Sequence, residues 1–105
     1  MDDVTTAQTS IEDLVYALAA SPRFAQDGVC FAARSSGLYR SDDGGLTWRS
    51  LYGSLGLQAP LATTAVTLSP AFDSDQSLFA GSQGGVLRSA DGGENWNVAM
   101  FPPPP

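Results

Sequence analysis

The sequence predicts an all-β protein built from two four-stranded antiparallel sheets. Three observations support this fold class: 11 glycines and 7 prolines require frequent turns, hydrophobic residues (43%) outnumber charged ones (15%), and one segment repeats along the chain. This balance is too apolar for a disordered chain and too weakly charged for a coiled coil. With 105 residues, the chain has room for one domain or for two small repeats.

The repeat has a period of 48 residues and aligns two segments without a gap. Identical residues recur at this spacing: Ser21-Pro22 with Ser69-Pro70, Phe24 with Phe72, Asp27 with Asp75, Phe31-Ala32 with Phe79-Ala80, Gly37 with Gly85, Arg40-Ser41 with Arg88-Ser89, Asp43-Gly44-Gly45 with Asp91-Gly92-Gly93, and Trp48 with Trp96. A match of this length in one register indicates a tandem duplication.

Each copy of the repeat predicts four short strands separated by turn residues. The predicted strands cover 14–20, 29–33, 37–40 and 47–51 in the first copy, and 64–68, 77–80, 85–88 and 95–100 in the second. The first two strands are apolar nearly throughout, which predicts burial on both faces of their sheet. Four-stranded sheets that are covered on both faces and repeat every 40–50 residues or so are typical of β-propeller blades.

One local pattern favours a helix instead of the first strand. Ser10 followed by apolar residues at helical spacing is typical of an amphipathic helix over 11–20. The register of the repeat favours a strand, because the matching segment of the second copy is rich in β-branched residues. A turn of helix at 10–13 stays open. The predicted organisation is an extension at 1–10, a first blade at 11–53, an inter-blade loop at 54–61, a second blade at 62–101 and a proline tail at 102–105.

The charge balance excludes several functional classes. Five arginines, no lysine and eleven acidic residues give a net charge of -6, which argues against nucleic-acid and anionic-membrane partners. The chain contains no histidine, the commonest general base and zinc ligand. Cys30 lies in an alternating apolar segment and is expected to be a buried, inert thiol. The acidic start shows no secretory signal, which fits the cytoplasm for the chain as written and leaves the compartment open.

A turn motif of the form Ser-x-Asp-x-Gly-x-Thr-Trp occurs once in each copy. It runs from Ser41 to Trp48 and again from Ser89 to Trp96, with Asn95 in place of the threonine. The motif resembles the Asp-box, or BNR repeat, of sialidase-type β-propellers, and the segment around it is similar to bacterial propellers of the sortilin and photosystem-assembly-factor kind. The structural Asp-box residues implied by the resemblance are Ser41, Asp43, Gly45, Trp48, Ser89, Asp91, Gly93 and Trp96.

The physical role predicted for the box is structural. Its glycines supply positive φ angles, its aspartate accepts hydrogen bonds from turn N–H groups, and its tryptophan is expected to be buried between blades. The resemblance also raises a sialidase reading, which implies an arginine cluster, a Tyr–Glu nucleophile pair and an acidic proton donor drawn from many blades. Only two glutamates are present and two of the five arginines recur with the repeat. No catalytic residue and no cofactor are therefore predicted.

The sequence gives weaker indications of a metal site, of a glycan or peptide site and of a proline-rich ligand. The pairs Asp42-Asp43 and Asp73-Ser74-Asp75 are oxygen-rich, but they lack the spacing of a calcium loop, so no metal site is predicted. A glycan or peptide bound at the mouth of a propeller channel is the better alternative, with Arg34, Tyr39 and Tyr52 as candidate ligand-binding residues. The proline tail after Phe101 is similar to EVH1-domain ligands, although a spacer is favoured.

The sequence thus favours a non-catalytic scaffold or binding module, with a two-blade piece of a larger glycosidase-like enzyme as the alternative. Two blades in one chain leave one apolar face open on each blade, and large open apolar faces mark association sites. Those faces are complementary, so head-to-tail contacts between copies are expected to close a propeller ring. Two blades per chain require an even blade number. Six is the sialidase count, so a cyclic homotrimer is predicted, with a tetramer as second choice.

Overall fold

A computed structural model describes residues 13–57, 60–82 and 84–100 of the chain. The regular secondary structure of the described part is mostly β-strand, in agreement with the predicted all-β class. The elements in order are β1 (Val15–Ala20), α1 (Phe24–Asp27), β2 (Cys30–Arg34), β3 (Gly37–Ser41), β4 (Arg49–Ser50), a 3-10 helix (Gly53–Leu55), β5 (Thr63–Leu68), α2 (Phe72–Asp75), β6 (Leu78–Ser82), β7 (Gly85–Ser89) and β8 (Asn97–Met100). All eight predicted strands are present, with bounds that shift by no more than two residues.

The strands form two separate four-stranded sheets in which each strand pairs with the next along the chain. Sheet 1 has the order β1-β2-β3-β4 and sheet 2 the order β5-β6-β7-β8, and all pairs are antiparallel. The register repeats with the sequence: Phe31 lies opposite Arg40 in sheet 1, and Phe79 lies opposite Arg88 in sheet 2. The β1–β2 pair and the β5–β6 pair also each carry a register shift near the start of their first strand. The duplication is therefore structural as well as sequential.

The short helical turns α1 and α2 were not predicted. Each contains four residues between the first and second strands of its sheet, and so small a segment carries no helical periodicity. Each ends in a left-handed residue, Gly28 with φ 65° and Gln76 with φ 55°. Glycine adopts this conformation freely, whereas glutamine does so at a steric cost.

The core lies between the two sheets. Strand β5 packs against β1 and β2, and the buried side chains of both sheets form one cluster. Phe31 of β2 meets Phe72 of α2, the helical turn between β5 and β6, edge to face with ring centroids 5.6 Å apart. Leu38 and Leu78 are fully buried beside them. This interface removes one face of each sheet from water, which is the main stabilising contribution expected in a chain of this size.

Two burial predictions are wrong for the single chain. Strand β1 was expected to be covered on both faces, yet Val15, Tyr16 and Leu18 are exposed. Trp48 was expected to be buried like Trp96, but it is 37% exposed whereas Trp96 is 7% exposed. The physical reason is the same in both cases, because no described residue packs against that side of sheet 1. The extension at 1–10, most of the 10–13 turn and the tail from Phe101 lie outside the described residues.

Candidate functional site

The first box turn connects β3 to β4 and is closed by its own side chains. Ser41 Oγ donates to Asp43 Oδ1 at 2.8 Å and accepts from the Gly45 amide at 2.8 Å. Asp43 Oδ1 also accepts the amides of Leu46 and Thr47, at 3.0 and 2.9 Å. The Thr47 hydroxyl donates to the second carboxylate oxygen of Asp43 at 2.6 Å. One carboxylate therefore accepts hydrogen bonds from turn amides that would otherwise have no acceptor within the protein.

The second box turn connects β7 to β8 and repeats this network. Ser89 Oγ donates to Asp91 Oδ1 at 2.8 Å and accepts from the Gly93 amide at 2.9 Å. The Asn95 amide donates to Oδ1 at 2.9 Å, and its side-chain amide donates to Oδ2 at 2.9 Å. Asparagine thus performs the same function as Thr47, because both side chains present a donor at the same position. The sequence departure at Asn95 leaves the turn intact.

These hydrogen bonds determine the acidity of both aspartates. The side-chain and backbone donors of Thr47, followed by the Ser41 hydroxyl, lower the pKa of Asp43 from 3.8 to about 2. Asn95 and Ser89 likewise lower the pKa of Asp91 to about 2. Each donor stabilises the ionised carboxylate, which is why the pKa falls. A carboxylate that stays ionised near neutral pH carries no proton to donate, and the internal hydrogen bonds occupy oxygen lone pairs that a cation would need.

A second repeated network ties α1 and α2 to the box turns. Ser21 Oγ donates to Asp27 Oδ2 at 2.8 Å, and Asp27 Oδ1 accepts the Val29 amide at 2.9 Å. Ser69 and Asp75 make the same contacts in sheet 2. The box joins this network because the Gly44 amide donates to the Gly28 carbonyl at 2.9 Å. The sequence repeat matches these residues between the two copies but does not predict their hydrogen bonds. Their recurrence is the one sequence signal that points to a shared structural role.

Two of the three candidate ligand-binding residues lie together. The Arg34 guanidinium lies 4.8 Å from the centre of the Tyr39 ring and forms an ion pair with Asp13. The Tyr39 hydroxyl shares a hydrogen bond of 2.7 Å with Ser36 Oγ, which also contacts Asp13. Burial acts to raise the pKa of Asp13, but the hydrogen bonds of Ser36 and Ser35 and the charge of Arg34 outweigh it and lower the pKa. Arg34 and Tyr39 are thus held by the protein's own groups.

The third candidate, Tyr52, is buried between the sheets. Its hydroxyl shares a hydrogen bond of 2.7 Å with Thr63 Oγ1, and its ring meets Trp96 edge to face at 5.7 Å. Burial raises the pKa of Tyr52. One edge of the residue still lines an open pocket of about 380 Å³, together with Ser36, Leu57 and other residues of the loop between the sheets. Arg34 and Tyr39 are not among the residues that line this pocket.

Each sheet also presents an apolar face that no described residue of the other sheet covers. The sheet 1 open face forms a hollow of about 360 Å³, lined by side chains that include Leu18, Ala20, Phe24, Cys30 and Trp48. The sheet 2 open face forms a hollow of about 200 Å³, lined by side chains that include Ala65, Thr67, Phe79, Gly81 and Val86. Cys30 was expected to be buried, but it is only half-buried because it borders the open hollow of sheet 1. Its partial burial raises the pKa of the thiol, which favours the less reactive protonated form.

Within residues 13–57, 60–82 and 84–100, no cluster of three or more potential metal ligands occurs. Across the same residues, none of the helices has the length and apolarity that crossing a membrane requires. Comparison with family models, with curated proteins and with solved structures gave no match. The resemblance to Asp-box propellers therefore depends on the repeated sequence motif.

Proposed function

We propose that the chain is a pair of Asp-box β-propeller blades that acts as a non-catalytic scaffold or binding module. The observation that carries the proposal is the exact repetition of one box network in two stacked four-stranded meanders. In both turns a serine and an aspartate accept the same set of amides, and a tryptophan Nε1 donates to the carbonyl of the fifth box residue, Gly45 or Gly93, at 3.0 Å. Stacked four-stranded meanders are the building principle of propellers.

The chemistry of the box supports a structural role over a catalytic one. Both box aspartates engage their oxygens within their own turns, and their lowered pKa removes them as proton donors near neutral pH. Arg34, an arginine that does not recur with the repeat, is paired with Asp13. We propose that a glycan or peptide ligand binds in the hollow beside Tyr52, where aromatic, serine and leucine side chains meet.

Self-assembly completes the proposed module. Two open apolar faces on a small acidic chain are costly to leave in water, and head-to-tail contacts between copies remove both. A ring of three chains contains six blades, and a ring of four contains eight. The proposal favours the trimer. The alternative is a two-blade piece of a larger glycosidase-like enzyme, in which further blades of the same polypeptide cover the open faces.

Native mass spectrometry of the 105-residue chain tests this proposal. We expect one closed species of three chains, or of four, and no growth to higher mass as concentration rises. Incubation with a fluorogenic sialoside in the same preparation is expected to give no turnover. A stable monodisperse monomer would refute the ring, and turnover that follows the protein through purification would refute the non-catalytic assignment.

A further inference from the structure

We propose that a second copy of this chain docks on sheet 1 in one defined register, with Phe79 of one copy against Phe24 of the next. This inference depends on the proposed function, because it specifies the contact that closes the ring. It is carried by the interface between the two sheets inside one chain. The two sheets are copies of one sequence, so that interface is a template for the contact between chains.

Three contacts define the template. Phe31 packs edge to face on Phe72, with centroids 5.6 Å apart. Trp96 Nε1 donates to the Leu51 carbonyl at 3.2 Å. Arg40 Nη1 donates to the Gly92 carbonyl at 2.8 Å. Each contact joins sheet 1 or its adjoining turns to sheet 2 or its adjoining turns, so the interface pairs unlike faces.

The period of 48 residues converts each template contact into a contact between copies. Phe31 corresponds to Phe79, and Phe72 corresponds to Phe24. Phe31 and Phe72 contact each other in the template, whereas Phe79 lies on the sheet 2 open face and Phe24 on the sheet 1 open face. By the same shift, the Trp96–Leu51 hydrogen bond becomes one from Trp48 to the Ala99 carbonyl, and the Arg40–Gly92 hydrogen bond becomes one from Arg88 to the Gly44 carbonyl. In every case one partner belongs to sheet 1 and the other to sheet 2.

Side-chain exposure shows that these positions lack the cover that their counterparts have. Phe24 is 39% exposed against 1% for Phe72, and Phe79 is 39% exposed against 0% for Phe31. Trp48 is 37% exposed against 7% for Trp96. The aromatic residues are identical within each pair, so the exposure follows from position and not from residue type. A second copy in the template register covers all three at once.

The box glycines show the same asymmetry in the backbone. A Cβ atom at Gly93 would lie 2.7 Å from Leu51 Cδ1, and one at Gly92 would lie 2.6 Å from Arg40 Nη1. At Gly44 no such neighbour lies within 4 Å, and at Gly45 the nearest atom belongs to Trp48 of the same turn. The second box is crowded by sheet 1, whereas the first box has free space on the corresponding side. In the proposed register, Arg88 of β7 and Ala99 of β8 from a preceding copy take the places beside the first box that Arg40 and Leu51 take beside the second.

The contact between copies is expected to be weaker than its template. Leu51 is replaced by the smaller Ala99, and the Arg49–Glu94 ion pair of the template, at 2.9 Å, is replaced by Asn97 and Leu46. Each chain also carries a net charge of -6, so copies repel one another at low ionic strength. Added salt is therefore expected to increase the assembled fraction.

Complementary blocking of the two faces tests the register. Phe24→Glu places a charge on the sheet 1 open face, and Phe79→Glu places one on the sheet 2 open face. Each variant alone is expected to be monomeric. An equimolar mixture is expected to form a 1:1 heterodimer and nothing larger, because one intact face remains on each partner. The matched control is Ala25→Glu, which adds the same charge beside Phe24 where its counterpart Asp73 is already exposed, and which should assemble as wild type.

The native thiol reports the direction of docking. Cys30 lines the sheet 1 open face, which is intact only in the Phe79→Glu chain. Adding an excess of a Phe24→Glu chain that also carries Cys30→Ser should slow the reaction of the remaining thiol with an aromatic disulfide reagent at least tenfold. Far-UV circular dichroism of each variant establishes whether it is folded. If a glutamate variant is unfolded, the alanine variant at the same position, Phe24→Ala or Phe79→Ala, takes its place. Each alanine variant is expected to weaken self-association at least tenfold.

The outcomes separate the two proposals. If the wild-type chain is monomeric, the ring fails and the docking contact fails with it. If the wild-type chain assembles but either folded variant assembles equally well alone, the ring stands and the proposed contact is overturned. A heterodimer that forms only on mixing, with protection of Cys30 in the Phe79→Glu chain, supports the register.

Discussion

The two tryptophans offer a comparison in which one residue type occupies two equivalent turns with different surroundings. Trp96 is 7% exposed, packs on Tyr52 and donates Nε1 to both Gly93 and Leu51 carbonyls. Trp48 is 37% exposed and donates only to the Gly45 carbonyl of its own turn. Trp96→Ala and Trp48→Ala therefore remove the same atoms from a covered and from a partly open site.

The expected costs follow from the buried areas. A buried tryptophan removes roughly 150–250 Å² from water, and truncation of such a residue costs about 3–5 kcal/mol of unfolding free energy. Trp48 buries about two thirds of the fraction that Trp96 buries, from the exposures of 37% and 7%. Scaling the truncation cost by that fraction gives about 2–3 kcal/mol for Trp48→Ala. The two variants should thus differ by about 1–2 kcal/mol in a monomeric chain.

Urea unfolding followed by far-UV circular dichroism measures both costs without relying on tryptophan emission. Both variants are made in the Phe79→Glu chain, so that association does not cover Trp48. If an alanine variant is unfolded, Trp48→Phe and Trp96→Phe replace the alanine pair. They remove fewer atoms, and Trp96→Phe is still expected to cost more unfolding free energy than Trp48→Phe. In chains that can assemble, the difference should shrink, because a neighbouring copy covers Trp48. An equal or larger cost for Trp48→Ala in the monomeric background would refute the packing argument.

Three further predictions address the turns and the interface. The pKa of Asp43 is about 2 in the folded chain, below its ordinary 3.8, so its ionised form stabilises the fold above about pH 4 and that stabilisation is lost as pH falls toward 2. Asp43→Asn should lower the melting temperature at pH 7 and flatten its decline below pH 4. Gly93→Ala should destabilise more than Gly45→Ala, because only the first Cβ meets Leu51, while φ is similar at 101° and 97°. Arg49→Ala should cost under about 1 kcal/mol, because its ion pair is exposed.

Each of these predictions has a measurement that can contradict it. For Asp43→Asn, thermal unfolding followed across pH 7 to 2 decides, and an unchanged slope would show that the carboxylate does not support the turn. For the two glycine variants, urea unfolding in the Phe79→Glu chain decides, and equal losses would remove the crowding argument. For Arg49→Ala, a loss of several kcal/mol in urea unfolding would mean that the pair contributes far more than an exposed ion pair usually does.

Local features of the fold were largely predictable. Turn residues at a fixed spacing placed all eight strands, because proline and aspartate restrict the backbone through their side chains and glycine admits the positive φ that tight turns require. The box was predictable for the same reason, since Ser41, Asp43 and Thr47 contact one another within a few positions. The four-residue helices were missed because a single helical turn carries no periodic signal. The choice of Tyr52 as a ligand-binding residue could not foresee its burial against Trp96, a contact between sheets.

The amino-acid sequence by itself determined the duplication, the strand order within each copy and the chemistry of the two turns, because all of these depend on contacts between residues near one another in the chain. Only the tertiary structure decided which copies of the repeated residues are buried. Phe31 and Phe79 are the same residue type, as are Trp48 and Trp96. Phe31 and Trp96 lie at the interface between the two sheets and are buried, whereas Phe79 and Trp48 lie on the open faces and are exposed. Burial is a property of neighbours brought together across the fold, and a tandem repeat of two units has neighbours on only one side.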